Sequence, residues 1–347
     1  MDGILSTMAA GIAFAVTGLL GLVIIPFLTK LKYGQTILDI GPNWHKSKQG
    51  TPTMGGIMFI IGIVLSVIVT YVVAYIQKDN RLAMEFLSGF DQQKKYTIRI
   101  IAGLLMAVAF GAVGFVDDYI KVVKKRNLGL TARQKTLLQL LIAAAFLLTL
   151  ALTGDTTTHI PFVKTAIDVS KGWGLIYWPV ALMFIYGFVN SVNLTDGIDG
   201  LCGSVTLIVS IFFMMLSGAL TMSGMNVLCS AVSGGCGGFL IWNLKPARVF
   251  MGDTGSLFLG GIAVAMAFAS GYPILLMLAG LLYFVEALSV MIQVAYYKKT
   301  KKRLFKMAPI HHHFEMSGWS ENKIVVAFSF VTFVGCAIAF LLFMLGR

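Results

Sequence analysis

Long apolar runs alternate with short polar segments along the 347 residues of this chain. Ten runs approach the roughly 20 apolar residues a helix needs to cross a bilayer. They lie at about 4–28, 55–76, 98–116, 136–153, 174–192, 200–217, 225–242, 256–271, 274–296 and 323–345. Only Gly271-Tyr272-Pro273 separates the eighth run from the ninth. The first reads as a span rather than a signal peptide, because Asp2 stands where a basic segment is expected and no small-residue cleavage site follows. Segment 154–173 mixes β-branched with polar residues, which predicts a short hairpin. With no repeat or low-complexity tract, residues 1–347 are expected to form a single polytopic membrane domain.

Composition removes the soluble alternative. Hydrophobic residues make up 57% of the chain, charged residues 12%, and the mean hydropathy is +0.84. A soluble domain of this length has no means of hiding so much apolar surface. The predicted fold is therefore all-α, an integral membrane protein of about ten transmembrane helices. Charge then orients it. Segments 30–54, 117–135, 193–199, 243–255 and 297–323 carry 4, 6, 0, 2 and 7 Lys or Arg, which is 19 of the 27 in the chain. The positive-inside rule places these segments in the cytoplasm and both termini outside. The net charge of +12 is then mostly a basic cytoplasmic face, suited to lipid headgroups and phosphorylated substrates. No soluble basic domain exists to hold nucleic acid. Cys202, Cys229, Cys236 and Cys336 fall within predicted spans without a CxxC pair and read as reduced packing residues.

Polar clusters at the cytoplasmic span ends turn the question from packing to chemistry. "GFVDDYIKVVKK" (114–125) follows a third span of nineteen residues. That span covers about 28 Å, so Asp117 and Asp118 are expected at the membrane boundary. "NSVNLTDGIDG" (190–200) sets Asn190, Asn193, Asp196 and Asp199 at every third residue, on one side of a helical turn. "WNLKPARVFMGDTGS" (242–256) carries Asn243 and Asp253, "HKSKQGTPTMGG" (45–56) enters the second span, and "MAPIHHHFEMSGW" (307–319) precedes the tenth.

Each cluster has a plain structural reading. Asp117 and Asp118 can pair with Lys121, Asn193, Asp196 and Asp199 can be turn residues, Asp253 can cap a helix, and the histidines can form a surface patch. Five distant segments meeting at one level favour a shared task, and phosphoryl transfer would use this set. Clustered carboxylates repel one another without a cation, and oxygen ligands suit a hard ion such as Mg²⁺. The small residues of "GDTGS" let the backbone approach a phosphate at a helix N-terminus. Lysines 48, 121, 124 and 125 can neutralise further phosphate charge. The histidines lack the spacing of a zinc site and suit hydrogen bonding to a sugar or diphosphate. A transporter is the rival from another class, but only Glu286 lies deep in a predicted span.

At these residues the chain closely resembles the bacterial phospho-N-acetylmuramoyl-pentapeptide transferases, within the polyprenyl-phosphate N-acetylhexosamine-1-phosphate transferase superfamily. "TPTMGG", "FVDDYIK", "NLTDGIDGL", "PARVFMGDTGSLFLGG" and "PIHHHFEMSGWSE" occur in the family's order and cover essentially the whole chain. "DDxxK" and "GDTGS" resemble superfamily features, whereas "PIHHHFE" resembles the muramoyl-pentapeptide branch. The resemblance implies a multi-pass enzyme of the bacterial plasma membrane with its active site facing the cytoplasm. It would transfer phospho-MurNAc-pentapeptide from UDP-MurNAc-pentapeptide to undecaprenyl phosphate, giving lipid I and UMP, with Mg²⁺ as cofactor. Asp253 looks like the metal ligand, and Asp117 and Asp118 like the catalytic pair. Lys48, Thr53, Asn190, Asn193, Asp196, Asn243, Phe250, Gln293, His312 and His313 look like the nucleotide-sugar pocket, with Lys121, Lys125, Asp199 and His311 counted beside them. His311 is expected to be the more structural of the three histidines. The basic stretch "QVAYYKKTKKRLF" (293–305) would lie near lipid headgroups and guide the lipid phosphate. A GlcNAc-1-phosphate transferase is the alternative enzyme, and whether the chain works as a homodimer stays open.

Overall fold

The apolar runs form helices, and one helix sits at the centre of the rest. The computed structural model describes residues 2–31, 50–77, 91–123, 128–161, 163, 165–170 and 172–346. In chain order the helices are α1 (Asp2–Lys30), α2 (Gly56–Ile76), α3 (Asp91–Val123), α4 (Ala132–Leu152), α5 (Gly174–Thr195), α6 (Leu201–Ala219) and α7 (Ser223–Asn243). They continue with α8 (Gly252–Ala269), α9 (Leu275–Ala279), α10 (Leu281–Thr300), α11 (Ile310–Glu315) and α12 (Glu321–Leu345). Among the described residues, α1 to α8 and α12 are long and apolar enough to cross a membrane. This is an all-α integral membrane protein.

Two predicted spans differ from the helices. The expected ninth span, 274–296, breaks at Gly280 into the short α9 and the longer α10. Helix α10 carries Glu286 and ends in Tyr296, Tyr297, Lys298 and Lys299, so it is not among the nine apolar spans. The third span was expected to end at residue 116, but α3 runs on to Val123. Asp117 and Asp118 therefore sit on helix, nearly two turns before its end, and share the face geometry of their i+3 and i+4 neighbours. The predicted hairpin is present as β1 (Thr157–Thr158) and β2 (Ile167–Asp168), antiparallel, with Thr157 opposite Asp168.

Helix α8 is the axis of the bundle, with 89% of its membrane window buried against 22% for α1. Without a hydrophobic drive inside lipid, such helices associate by close backbone packing, and small residues permit it. A Cβ at Gly114 of α3 would overlap the Asp253 carbonyl oxygen, and one at Gly56 of α2 would overlap Gly255. The Phe59 ring fills the space beside these contacts, meeting Phe239 edge-on at 5.0 Å and Phe258 at 6.0 Å. Large apolar side chains of the outer helices, among them Leu22, Val326 and Phe330, stay exposed, as lipid-facing residues should.

The ends of α8 point to opposite ends of the bundle. Near its C-terminus, Arg99 of α3 and Asp155 form a buried ion pair beneath the hairpin. His159 donates its backbone N–H to Gly271 O at 2.9 Å, and its ring stacks on Tyr272. Near the α8 N-terminus, Phe250 N–H bonds to Pro52 O at 2.8 Å and Gly55 N–H to Phe250 O at 2.9 Å. These bonds fasten the entrance of α2 to the entrance of α8 and bring the polar segments together.

Candidate active site

The site begins with how α8 starts. Gly252 has φ +69°, a left-handed conformation open to glycine, and a Cβ there would crowd both Asp118 and Thr53. Helix α8 has no side-chain cap of its own. Its cap comes from α3. Asp118 accepts hydrogen bonds from Asp253 N–H at 3.3 Å, Thr254 N–H at 2.9 Å and the Thr254 hydroxyl at 2.8 Å. A carboxylate in this place satisfies amides that lack partners and complements the helix dipole, together worth about 1 kcal/mol or more.

Asp117 takes a different path. Its Oδ1 accepts from Leu130 N–H at 2.8 Å, and its Oδ2 lies 2.6 Å from Lys121 Nζ. The Lys121 ammonium also donates to Asp253 Oδ2 at 2.9 Å, so the i+4 pair foreseen from sequence becomes a bridge between helices. Lys135 Nζ reaches the same Asp253 oxygen at 3.0 Å, while Asn193 Nδ2 donates to Asp253 Oδ1 at 2.7 Å and to Ser256 Oγ at 2.8 Å. Lys135 was missed by sequence reasoning. It follows the Thr131–Gln134 capping box that starts α4, and no motif marked it out from other loop lysines.

Asp117, Asp118 and Asp253 each offer an oxygen within 4.8 Å of the others, a grouping able to hold a metal ion. The donor set is all oxygen, which fits a hard cation. Two ammonium groups already lie against Asp253, so positive charge is what this arrangement gathers. Asp196, which ends α5, is half-buried near the cluster. Burial, with the negative charges of Asp253, Asp118 and Asp199 nearby, pushes its carboxyl up to about 8.

The other expected residues divide between surface and scaffold. Thr53 lies beside Gly252, and Phe250 sits in the strap that joins α2 to α8. Asn190 is turned to its own bundle, donating to Gln139 Oε1 at 2.7 Å and Tyr186 O at 2.8 Å. Buried Asn243 accepts from Gly200 N–H at 3.1 Å and donates to Val249 O at 2.9 Å, tying two loops together. Asp199 does similar work, with Oδ2 accepting from Ala247 N–H at 3.1 Å. Gln293 accepts from Leu304 and Phe305 N–H and so holds the basic stretch beyond α10. Lys48 and Lys125 lie outside the described residues, as does Lys124.

The histidines point three ways, as adjacent residues must. His311 is fully buried with Nδ1 3.0 Å from Glu286 Oε2. His312 Nδ1 is 2.6 Å from Glu315 Oε2, and His313 Nδ1 accepts from Lys306 N–H at 3.1 Å, which leaves its Nε2 carrying the proton. His311 is thus enclosed in this loop, whereas His312 and His313 remain partly exposed.

Comparison with known proteins joins this geometry to a family. Residues 100–271 match the model for glycosyl transferase family 4, and residues 48–60 match phospho-N-acetylmuramoyl-pentapeptide-transferase signature 1. Three similar relatives are all named phospho-N-acetylmuramoyl-pentapeptide-transferase. That of Acetivibrio thermocellus is 44% identical, over 95% of this chain and 92% of its own length. The Caldicellulosiruptor bescii protein is 45% identical over 96% and 95%, and the Carboxydothermus hydrogenoformans protein 46% identical over 90% and 91%.

Proposed function

The chain belongs to the phospho-N-acetylmuramoyl-pentapeptide transferases, and from that premise we propose how its residues carry out the transfer. The enzyme moves phospho-MurNAc-pentapeptide from UDP-MurNAc-pentapeptide to undecaprenyl phosphate, releasing UMP and forming lipid I. The observation that carries the reading is the trio Asp117, Asp118 and Asp253 at the N-terminus of α8, bracketed by Lys121 and Lys135. A diphosphate meets there two ammonium groups beside the start of α8, whose first amides Asp118 already caps.

Asp253 would be the first ligand of Mg²⁺, with Asp117 beside it, because both present oxygens toward lysine ammoniums. Bound there, the ion would neutralise the diphosphate and ease departure of UMP. Asp118 has its oxygens committed to α8 amides and the Thr254 hydroxyl, so its part is to hold Asp253 in place. An oxygen of the lipid phosphate forms the new bond to the sugar-bearing phosphorus. The bond from that phosphorus to the oxygen shared with UMP breaks, and UMP keeps the electron pair. A monoester phosphate has its second pKa near 6, so it is already a competent nucleophile. Asp117 therefore orients the acceptor rather than attacking in its place, and positioning supplies most of the rate.

The test is UMP release by purified protein given undecaprenyl phosphate with UDP-MurNAc-pentapeptide or with UDP-GlcNAc. Turnover with the first alone is expected, and turnover with UDP-GlcNAc alone would move the assignment to the alternative transferase. The one-step route is tested with radiolabelled UMP and lipid-stripped enzyme. Label entering the nucleotide-sugar without lipid phosphate would require a covalent aspartyl intermediate. The positive-inside count supports a cytoplasmic position for this end of the bundle, on the side where a nucleotide-sugar is made. Cysteines introduced near Asp117 or Asp253 should resist a membrane-impermeant thiol reagent applied to intact cells, and cysteines in 155–170 should react.

A further inference from the structure

Glu286 lies in the interior of α10 with none of its side chain exposed, and its partner His311 is equally enclosed. Glu286 Oε1 and His311 Nε2 make no hydrogen bond among the described residues. A carboxylate held this way carries a desolvation penalty that a single partner offsets poorly, whereas apolar side chains of similar volume would pack there without it. Such a pair has to be explained by what it holds. One turn before Glu286, the Tyr283 hydroxyl is 2.7 Å from Thr206 Oγ1, which fixes the rotation of α10 against α6. Helix α6 begins directly after the turn containing Asp196 and Gly197. On that turn, a Cβ at Gly197 would overlap His311 Nε2, so the imidazole edge presses on the backbone one residue from Asp196. Stacked parts thus run from α6 through Tyr283 and α10 to Glu286, His311 and back to the Asp196 turn.

We propose that Glu286 is a positioning residue for nucleotide-sugar binding: it holds His311 with Nδ1 protonated and braced against Gly197, and so fixes the turn that presents Asp196. The proposal rests on the transferase reading above. It assigns a task to the one acidic residue deep in α10, which makes no contact with the aspartate cluster. A carboxylate accepting from Nδ1–H sets the ring's tautomer and plane, as carboxylates do for histidines in other sites. Gly197 is required because the ring occupies the space where any side chain would begin.

Steady-state kinetics on four variants tests it. Glu286→Gln should raise KM for UDP-MurNAc-pentapeptide by about ten-fold or more and leave KM for undecaprenyl phosphate within about two-fold of wild type. Gly197→Ala, which changes no titratable group, should give the same split by pushing on the same ring. Combining Glu286→Gln with His311→Asn should be no worse than His311→Asn alone, because Glu286 acts through that ring. Unchanged KM values, equal shifts in both, or additive losses would overturn the proposal. If Glu286→Gln folds poorly, the volume-matched pair Glu286→Leu with His311→Phe replaces it, and the same KM split is expected. A measurement without turnover separates this idea from the transferase reading. In wild-type protein carrying ¹⁵N-labelled histidine, with the signal assigned by loss in His311→Asn, Nδ1 of His311 should be protonated. An unprotonated Nδ1 sinks the brace even in an active enzyme, and a protonated Nδ1 in a protein that transfers nothing sinks only the substrate assignment.

Discussion

At its N-terminus α8 receives the Asp118 carboxylate from α3, and at its C-terminus it meets the Arg99 guanidinium from the same helix. Both contacts complement the helix dipole, negative group to the amino end and positive group to the carboxyl end. What surrounds them differs. Arg99 is matched by one buried acid, Asp155, and the charge closes on itself. Around Asp118 stand Asp117, Asp253 and Asp196 with only Lys121 and Lys135 against them among the described residues. A balanced pair contributes structure. An excess of carboxylates in which Asp253 and Asp196 stay partly exposed is a place where a cation and a phosphate can enter.

Removing charge at each end should therefore fail in different ways. Asp253→Asn keeps the shape of the acceptor while removing its charge, and turnover should fall about 1,000-fold or more, roughly 4 kcal/mol. The protein should still elute as a folded species in detergent. Near-normal turnover at ordinary Mg²⁺ would move the metal to Asp117 or Asp118. At the other end, Arg99→Met leaves Asp155 buried without a counter-charge and should cost about 3 kcal/mol of stability. Adding Asp155→Leu should recover most of it, with KM and kcat of the folded fraction close to wild type. If the double variant folds well yet turns over like Asp253→Asn, both ends serve catalysis and the contrast between them is lost.

The histidine loop sits between these extremes. His312→Ala or His313→Ala should lower kcat/KM by about ten-fold, or 1.4 kcal/mol, without unfolding the protein. His311→Ala removes a fully buried ring and should also lower thermal stability. A His312 variant that loses stability in place of activity would exchange the roles of the two residues.

Much of this contrast was legible in the chain before any coordinates. Long apolar runs are a strong local signal, so eight spans and the hairpin were placed within a few residues, while α3 runs past its expected end at 116 to Val123. The candidate active end was legible because Asp117 and Asp196 sit where a run stops and Asp253 sits where one starts. What escaped was long-range pairing. Nothing local tells Lys135 from neighbouring lysines until α4 swings it to Asp253, 118 positions away. Arg99 and Asp155 are separated by 56 positions, and Glu286 and His311 by 25. The break at Gly280 was also hidden, since a lone glycine in an apolar run is tolerated in many membrane helices. Asp118 was grouped with Asp117 because adjacency in sequence suggested a shared task. On a helix, neighbours point about 100° apart, so one carboxylate caps α8 while the other meets Lys121.

The smallest expected effect concerns Asp196, whose carboxyl is pushed up to about 8 by burial and by the excess of nearby acids. An unfolded aspartate titrates near 3.9. Between those values the folded protein keeps a proton that the unfolded chain has released, so folding is favoured at the acid end. Stability should then fall as pH rises from about 4 to about 8. The carboxyl is half-buried, so water and counter-ions reduce the effect to about 1 kcal/mol. Asp196→Asn should flatten that part of the profile in metal-free protein, matching wild type near pH 4 and outlasting it near pH 8. Asp253→Asn should flatten it in part, by removing one of the charges that raise the group. Mg²⁺ bound at the acid cluster should do the same in wild type, since added positive charge favours the ionised form. Thermal melts across this range, with and without Mg²⁺, make the comparison. A wild-type slope that Asp196→Asn leaves untouched would mean the acid excess at this end is already neutralised without a bound cation. The two ends of α8 would then differ in exposure alone.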